Sequence, residues 1–508
     1  MTEIVLGIET EYGVLGPVRN PVELSSWVVA AYKAGQSGRV APWDYRSEDP
    51  HNDARGFRLD QASAHQSPLM AEPDQGGARP VVEKDGPGAA MLANGGRLYV
   101  DHAHPEYASP ETATAREVSL WDQAGQRIMA SAAWALADAG QAVSLYKNNT
   151  DGQGASYGTH ENYLVERSVA WELLVAVITP FLVTRQIYTG SGRAGLGQRS
   201  QDPGFQLSQR ADFVEAEVGL ETTLNRPIVN TRDEPHADPE RWRRLHVIVG
   251  DATMMEVATY VRLGVTGLIL RAMTAAPRRA AALAEEVRLD APVGAFVAVS
   301  RDLTLREPLA PRAGGQTTAV GIQRRYHDFV AKALPLEDPE TRDLMDRWAA
   351  LLDGLGSDPM TVSRQVEWVA KYQLLESLRQ RDGLAWDHPK LRAADLKWTD
   401  VNPKRSLFAR VMRHAGVETL FEEREIAWAV THPPTSTRAY LKGEVISRYP
   451  DNVVAAGWDS LSLAWPGGQA RLNLSSPLAG NRAQIEAVLA ESASGPDLVD
   501  RLAGVDLG

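Results

Sequence analysis

Four short segments share one pattern, and that pattern decides what kind of sheet this chain can build. In Ile4–Val14, Arg97–Asp101, Tyr157–Val165 and Arg244–Val249, polar residues stand two apart, with Leu98, Val100 and Leu245 between them in two segments and Thr10 and Glu161 in the other two. Side chains alternate across a strand, so each segment sends its polar set to one face and the intervening residues to the other. The polar sets are Glu9 with Glu11, Arg97 with Tyr99 and Asp101, His160 with Asn162, and Arg244 with His246. A single set of this kind is usually a solvated or internally satisfied face. Four together describe a sheet with one face packed and the other lined by carboxylates, imidazoles and guanidinium groups, a concave site for cations and phosphates.

The stretch from Arg97 to Glu111 is the densest of these. Pro105 is expected to end its strand, with Glu106 in the turn and Ser109-Pro110 as cap and first residue of a helix running to about Ala139. Glu9 and Glu11 on one face repel each other, and a divalent cation held by oxygens, as Mg²⁺ requires, removes that conflict.

Composition removes several function classes. With 44 % hydrophobic and 23 % charged residues the chain reads as globular, and its length allows roughly three units. The most apolar run, Ala170–Val183, carries Glu172 and Pro180 and falls short of the roughly 20 residues of a membrane span. No basic segment leads an apolar one at the N-terminus, so the expected compartment is the cytoplasm, with no membrane partner. The absence of cysteine excludes disulfides, thiolate nucleophiles and cysteine metal sites. A net charge of -12 argues against nucleic acid as a partner, so any acidic substrate must meet local basic residues. Gly190–Gly195 formally matches a dinucleotide fingerprint, but Gln201, Asp202 and Pro203 follow where a helix is required. That segment is read instead as a mobile loop carrying Arg193, Arg199 and Arg210 toward an acidic substrate.

Elsewhere the periodicity predicts helices over Glu23–Ala34, Thr253–Glu286 and Val362–Leu378. Trp43–Gly88, polar and rich in Gly and Pro, reads as a loop insertion. Past Pro434, short strands are expected over Ala439–Tyr449, Ala455–Ala464 and Gln469–Asn473, then a helix over Asn481–Glu491. The expected division is a catalytic domain over 1–433 and a small C-terminal domain over 434–508.

Gly-Ile-Glu-Thr-Glu-Tyr-Gly at 7–13, Arg-Leu-Tyr-Val-Asp-His-Ala-His-Pro-Glu-Tyr at 97–107 and Gly-Thr-His-Glu-Asn-Tyr at 158–163 resemble, in order, the motifs of the Pup-processing enzymes. That family comprises the Pup ligase and the Pup deamidase or depupylase, and is similar in fold to glutamine synthetase and glutamate-cysteine ligase. The resemblance implies an α+β fold in which a curved antiparallel sheet cradles Mg-ATP, with helices packed behind it. It implies Glu9, Tyr99 and Glu106 as Mg²⁺ ligands, with Glu11, His160 and His246 as further ligands. Arg97, Ser109, Asn162 and Arg244 would contact ATP, Trp458 would pack on the nucleotide, and Asp101 would be the catalytic aspartate. Ligases of the family have one more residue between that aspartate and the metal-binding glutamate and lack the insertion, so the chain resembles the depupylase branch. The implied partners are Pup and pupylated proteins. A Pup ligase, another carboxylate-amine ligase and a non-catalytic nucleotide-binding scaffold are the alternatives.

Overall fold

The structure is a computed structural model that describes residues 4–36, 39–58, 88–152, 154–195, 203–223, 225–466 and 468–507. Its main sheet has nine strands. In chain order they are β1 (Leu6–Glu11), β2 (Val40–Pro42), β3 (Ala90–Leu92), β4 (Arg97–Asp101), β5 (His104–Ala108), β6 (Thr159–Glu166), β7 (Ala216–Gly219), β8 (Pro227–Asn230) and β9 (Trp242–Val247). They lie side by side as β7-β8-β9-β6-β1-β5-β4-β3-β2. All neighbours are antiparallel except β7 with β8.

Alternation sorts the two faces as the sequence demands. Leu6, Ile8, Tyr163, Val165, Leu245 and Val247 are buried in one core with the helices α3 (Trp171–Thr189) and α4 (Glu256–Ala275). Leu98 and Tyr107 join Tyr12 against α1 (Pro21–Ala34) and α2 (Ala115–Asp138). α3 is apolar on nearly every side, and its buried Leu174, Val177, Ile178 and Phe181 make it the central layer behind the sheet.

Several boundaries differ from expectation for identifiable reasons. The chain reverses at His102-Ala103, so Pro105 sits inside β5 opposite Val100, and Glu106 lies mid-strand instead of in a turn. Proline is tolerated there because it stands second in its strand, beyond the last residue paired with β1. Ser109 does not cap a helix: its hydroxyl accepts from the Ile8 N–H (3.0 Å) and donates to the Pro110 carbonyl (3.0 Å). α2 begins only at Ala115, capped by Thr114. The helix expected over Thr253–Glu286 is two, because Pro277 opens a second over Pro277–Val287. The one expected from Val362 starts at Glu367, after a short 3₁₀ turn.

Ala439–Arg448 is a helix and not a strand. Leu441 and Val445 face one core four residues apart, while Arg438 and Lys442, also four apart, both reach Glu111. The strands that follow are Val453–Ala456, Ser460–Trp465 and Gly468–Asn473, a three-stranded antiparallel sheet, before helices over Arg482–Glu491 and Gly495–Leu502. Leu461, Leu463, Leu474 and Ile485 share a core with Ala41, Trp43 and Met91 of the β2–β3 edge. The body of the expected insertion, 59–87, lies outside the described residues. Among the described residues no helix is long and apolar enough to cross a membrane.

Candidate active site

Register brings the polar sets together. Glu9 stands opposite His160, Glu11 opposite Glu106, Tyr99 opposite Glu106, and Asn162 opposite His246. Directly opposed residues share a face of a sheet, and two groups of ligand-type atoms result. Glu9, His160 and His246 bring theirs within 4.8 Å of one another, and Glu11, Asp101 and Glu106 do the same.

Glu9 anchors the first group. It accepts from Asn162 Nδ2 (3.0 Å) and Arg244 Nη2 (3.2 Å) and lies 3.3 Å from His160 Nδ1. Burial opposes its charge, but the His160 hydrogen bond and the Arg244 charge prevail and hold its carboxyl at about 2. Asn162 Oδ1 accepts from Arg244 Nε (2.7 Å) and from His246 Nδ1 (2.9 Å). That bond leaves a lone pair on His246 Nε2, which is buried without a partner, while burial and then the Arg244 charge keep the ring neutral. A neutral imidazole oriented through its other nitrogen is the state a metal ligand needs. A side chain at Gly158 would strike the His160 ring, its Cβ lying 2.0 Å from Nε2, so only glycine leaves that ring its place.

The second group holds two carboxylates in opposite states. Glu106 is 1 % exposed and its Oε2 meets no partner; burial, then the charges of Asp101, Glu11 and Glu9, push it far above the usual range. Asp101 also suffers burial, but His102 Nδ1 at 3.0 Å, then the charges of His160 and Arg232, hold it below its ordinary value. His102 has φ 51°, the left-handed backbone that lets a two-residue hairpin turn close and bring the ring beside Asp101. Three clustered carboxylates with an orphaned buried oxygen fit a hard divalent cation such as Mg²⁺. Burial and then the Glu106 and Glu9 charges keep the Tyr99 phenol protonated, so it would offer a cation a neutral oxygen.

Beside Glu9 opens a cavity of about 90 Å³ whose wall includes Gly7, Ser109, Asn162, Arg244 and Trp458. Four of the five expected nucleotide contacts are therefore neighbours. The fifth, Arg97, is held between the rings of Trp43 and Tyr99, 4.1 Å from each centroid, and lies 3.2 Å from Glu48. Trp43 in turn packs edge-on against Trp458 at 5.2 Å.

Of the loop expected to meet an acidic substrate, the described residues place Arg193 and Arg210 in the interior. Arg199 lies outside the described residues. Arg210 is 2 % exposed and donates to Ser156 Oγ (3.1 Å) and to the carbonyls of Tyr157 and Ile248, tying the approach to β6 to the end of β9. Arg193 is buried 3.5 Å from Asp212. Buried in this way, Arg193 and Arg210 are held against internal groups of the fold.

Sequence reading missed His102, and also His104, which lies 3.3 Å from Glu11 and stacks on Tyr157 at 4.2 Å. Both stood in plain view beside Asp101. It also missed Glu234 and His236, cavity residues from the loop after β8, with Glu234 3.6 Å from Arg244. No local signal marks them, since tertiary folding alone brings that loop to the cavity.

A family model described as Pup-ligase protein matches residues 4–462. The Pup deamidase/depupylase of Mycobacterium tuberculosis is 43 % identical to this chain over 511 residues, 98 % of each. Two solved structures are similar. The complex of the prokaryotic ubiquitin-like protein Pup with its ligase PafA gives a TM-score of 0.76 at 28 % identity, covering 99 % of this chain and 95 % of that one. PafA in complex with ADP gives 0.71 at 33 % identity, covering 81 % and 92 %. With a family model running through almost the whole chain and a relative matched from end to end, the chain belongs to the Pup-ligase protein family.

Proposed function

We propose that this chain hydrolyses the side-chain amide of the C-terminal residue of Pup, deamidating a terminal glutamine and cleaving the isopeptide bond between Pup's glutamate and a lysine of a pupylated protein. The observation that carries this reading is Asp101, set at the end of β4 in one cluster with Glu11 and Glu106, in a chain matched over 98 % of its length by a relative named for that activity.

ATP and Mg²⁺ are the proposed cofactors. The cavity beside Glu9 and the PafA complex with ADP support the nucleotide, and the orphaned atoms of Glu106 and His246 support the cation. Glu9, Glu11, Glu106, His160 and His246, with Tyr99, would hold Mg²⁺. Ser109, Asn162, Arg244 and Trp458 would line the nucleotide, with Arg97 further along the face. Bound there, the cation would supply positive charge and polarisation beside the scissile amide. Asp101 then either attacks the amide carbon as nucleophile or takes the proton of an attacking water. Overall one water is consumed, and ammonia or the lysine amine leaves. Residues 1–433 would carry this chemistry, and 434–508 would add Trp458. The proposed compartment is the cytoplasm, where ATP is available.

The ligase structures at lower identity keep a Pup ligase as the second reading, and one assay separates them. Purified protein is given ATP, Mg²⁺ and Pup ending in glutamine, and product is followed by mass together with ADP. Conversion of the amide to the acid with ATP conserved is expected. Conjugates formed with one ATP consumed per product would establish the ligase instead. Asp101→Asn should keep nucleotide and Pup affinity while losing deamidation and isopeptide cleavage together.

A further inference from the structure

Arginines on the polar face near Glu9 and Tyr99 are committed. Arg97 meets Glu48, and Arg244 meets Glu9 and Glu234. Arg232 is different. Among the described residues its side chain has no ion pair and no hydrogen bond, and its Nε is sealed from solvent without an acceptor.

Its place in the fold is well fixed. Asn230, at the end of β8, stands opposite His246, so alternation carries Arg232 to the same face two residues later. The Arg232 N–H donates to Asn230 Oδ1 (2.9 Å), the Ala54 N–H donates to the Thr231 carbonyl (2.8 Å), and Arg232 bridges to Asp53 through the backbone. After the causes given above, its charge is also among those that lower Asp101 and His246. An arginine with a desolvated, unused donor, fixed by its backbone on the face that carries His246, is organised for an anion that arrives from outside.

The proposed substrate must bring one. The reacting amide belongs to the side chain of Pup's last residue, so a free α-carboxylate lies only a few bonds, about 5 Å, from the reacting carbon. We infer that Arg232 binds this α-carboxylate and so selects the side-chain amide of a C-terminal residue over the amides of internal glutamines. The inference rests on the hydrolase reading above and adds its positional specificity. A phosphate oxygen could make the same contact, and the experiment separates the two.

Two Pup substrates ending in glutamine are compared, one with a free α-carboxylate and one with an α-carboxamide, using enzyme loaded with ATP and Mg²⁺. Both are labelled at the N-terminus so that Kd is read by anisotropy alongside kcat/KM. Wild type should lose about 10- to 100-fold in kcat/KM and Kd on amidation, the range of a charge-assisted hydrogen bond. Arg232→Gln should show a similar loss on the free acid, no further loss on the carboxamide, and wild-type ATP affinity. Arg232→Lys should restore part of the discrimination. The side chain has no internal partner, so the melting temperature should stay at the wild-type value.

Equal losses on both substrates, or discrimination retained in the variant, would overturn the inference. Weakened ATP binding with discrimination intact would also overturn it, in favour of a phosphate contact. If wild type turns over neither substrate, the hydrolase reading fails on its own. The Kd values still decide Arg232: carboxylate discrimination that vanishes in Arg232→Gln supports it, and its absence from wild type overturns it.

Discussion

Along β6 the two faces of one strand treat buried charge in opposite ways. Inward, Glu161 accepts from Arg185 Nη1 (2.8 Å), Arg185 Nη2 (2.6 Å) and Tyr163 Oη (2.5 Å), with Arg262 Nε at 3.5 Å. Burial works upward on its carboxyl, yet the two guanidinium groups keep it below the usual range. One residue to either side, His160 and Asn162 face a cluster in which Glu106 Oε2 and His246 Nε2 have no partner and Glu106 is forced toward protonation. The inner unit gives its carboxylate two counter-charges as folded and fastens β6 to α3 and α4. The outer unit is left short of positive charge, which the proposed cation would supply. Equal burial thus stabilises on one face and prepares a site on the other, the sign being set by whether the chain provides the counter-charge.

The largest expected effect tests that contrast directly. Glu161→Gln leaves two buried guanidinium groups without their anion and should cost about 3–5 kcal/mol in urea unfolding. Glu106→Gln removes a charge that the metal-free protein opposes, and should leave stability unchanged or raised while abolishing the gain in melting temperature produced by Mg²⁺. Equal destabilisation by the two changes would break the comparison.

pH sharpens it further, because the two kinds of group carry opposite signs. Glu9, held at about 2 against an ordinary 4.5, contributes stability that is present above 4.5 and lost as pH falls toward 2, roughly 3 kcal/mol at most. Glu161 and Glu111, also lowered, act in the same direction. Glu106 is raised, so its contribution is present below the ordinary carboxylate value and lost as pH rises through its elevated one. In chelator, Glu9→Gln should flatten the acid limb of melting temperature against pH, and Glu106→Gln should raise the neutral limb. Mg²⁺ should stabilise wild type more at pH 8 than at pH 5. A Mg²⁺ effect independent of pH would detach the cation from Glu106.

How much of this was legible follows from where the information sits. The alternation around Glu9, Asp101, Asn162 and His246 is local, and pairing register turned four local faces into one site. Glu106 falls in a strand and not in the expected turn, because a proline near a strand's start is indistinguishable in sequence from one that ends it. Ala439–Arg448 was misread because Val445, Ile446 and Tyr449 suit a strand. What decides for a helix is Arg438 and Lys442 meeting Glu111 hundreds of residues away. Arg210 and Arg232 show the same limit from both sides. Each is an arginine in a polar loop, yet one is spent on Ser156 and two carbonyls while the other's side chain has no hydrogen-bond partner among the described residues, a difference only tertiary contacts create.

The smallest expected effect lies where the two regimes touch. Glu111 is paired with Arg438 and Lys442 as completely as Glu161 is with its arginines, yet it also lines the cavity beside Glu9. Lys442 donates to the carbonyls of Gly457 and Trp458, so it fixes the backbone that presents the Trp458 ring to that cavity. Burial pulls its amine down to about 8, although Glu111 acts in the opposite direction. Lys442→Met keeps most of the apolar stem and removes the donor, so it should weaken ATP about 5-fold, on the order of 1 kcal/mol, with a fold as cooperative as wild type. The wild-type affinity should itself decline as pH rises past 8 and the amine loses its proton, while the variant's should stay flat over that interval. Titration of both proteins with ATP at pH 7 and pH 9 reads this out. Identical Kd values at both pH values would mean that Lys442 only closes the C-terminal core, placing the Glu111 unit wholly with Glu161 on the structural side of the comparison.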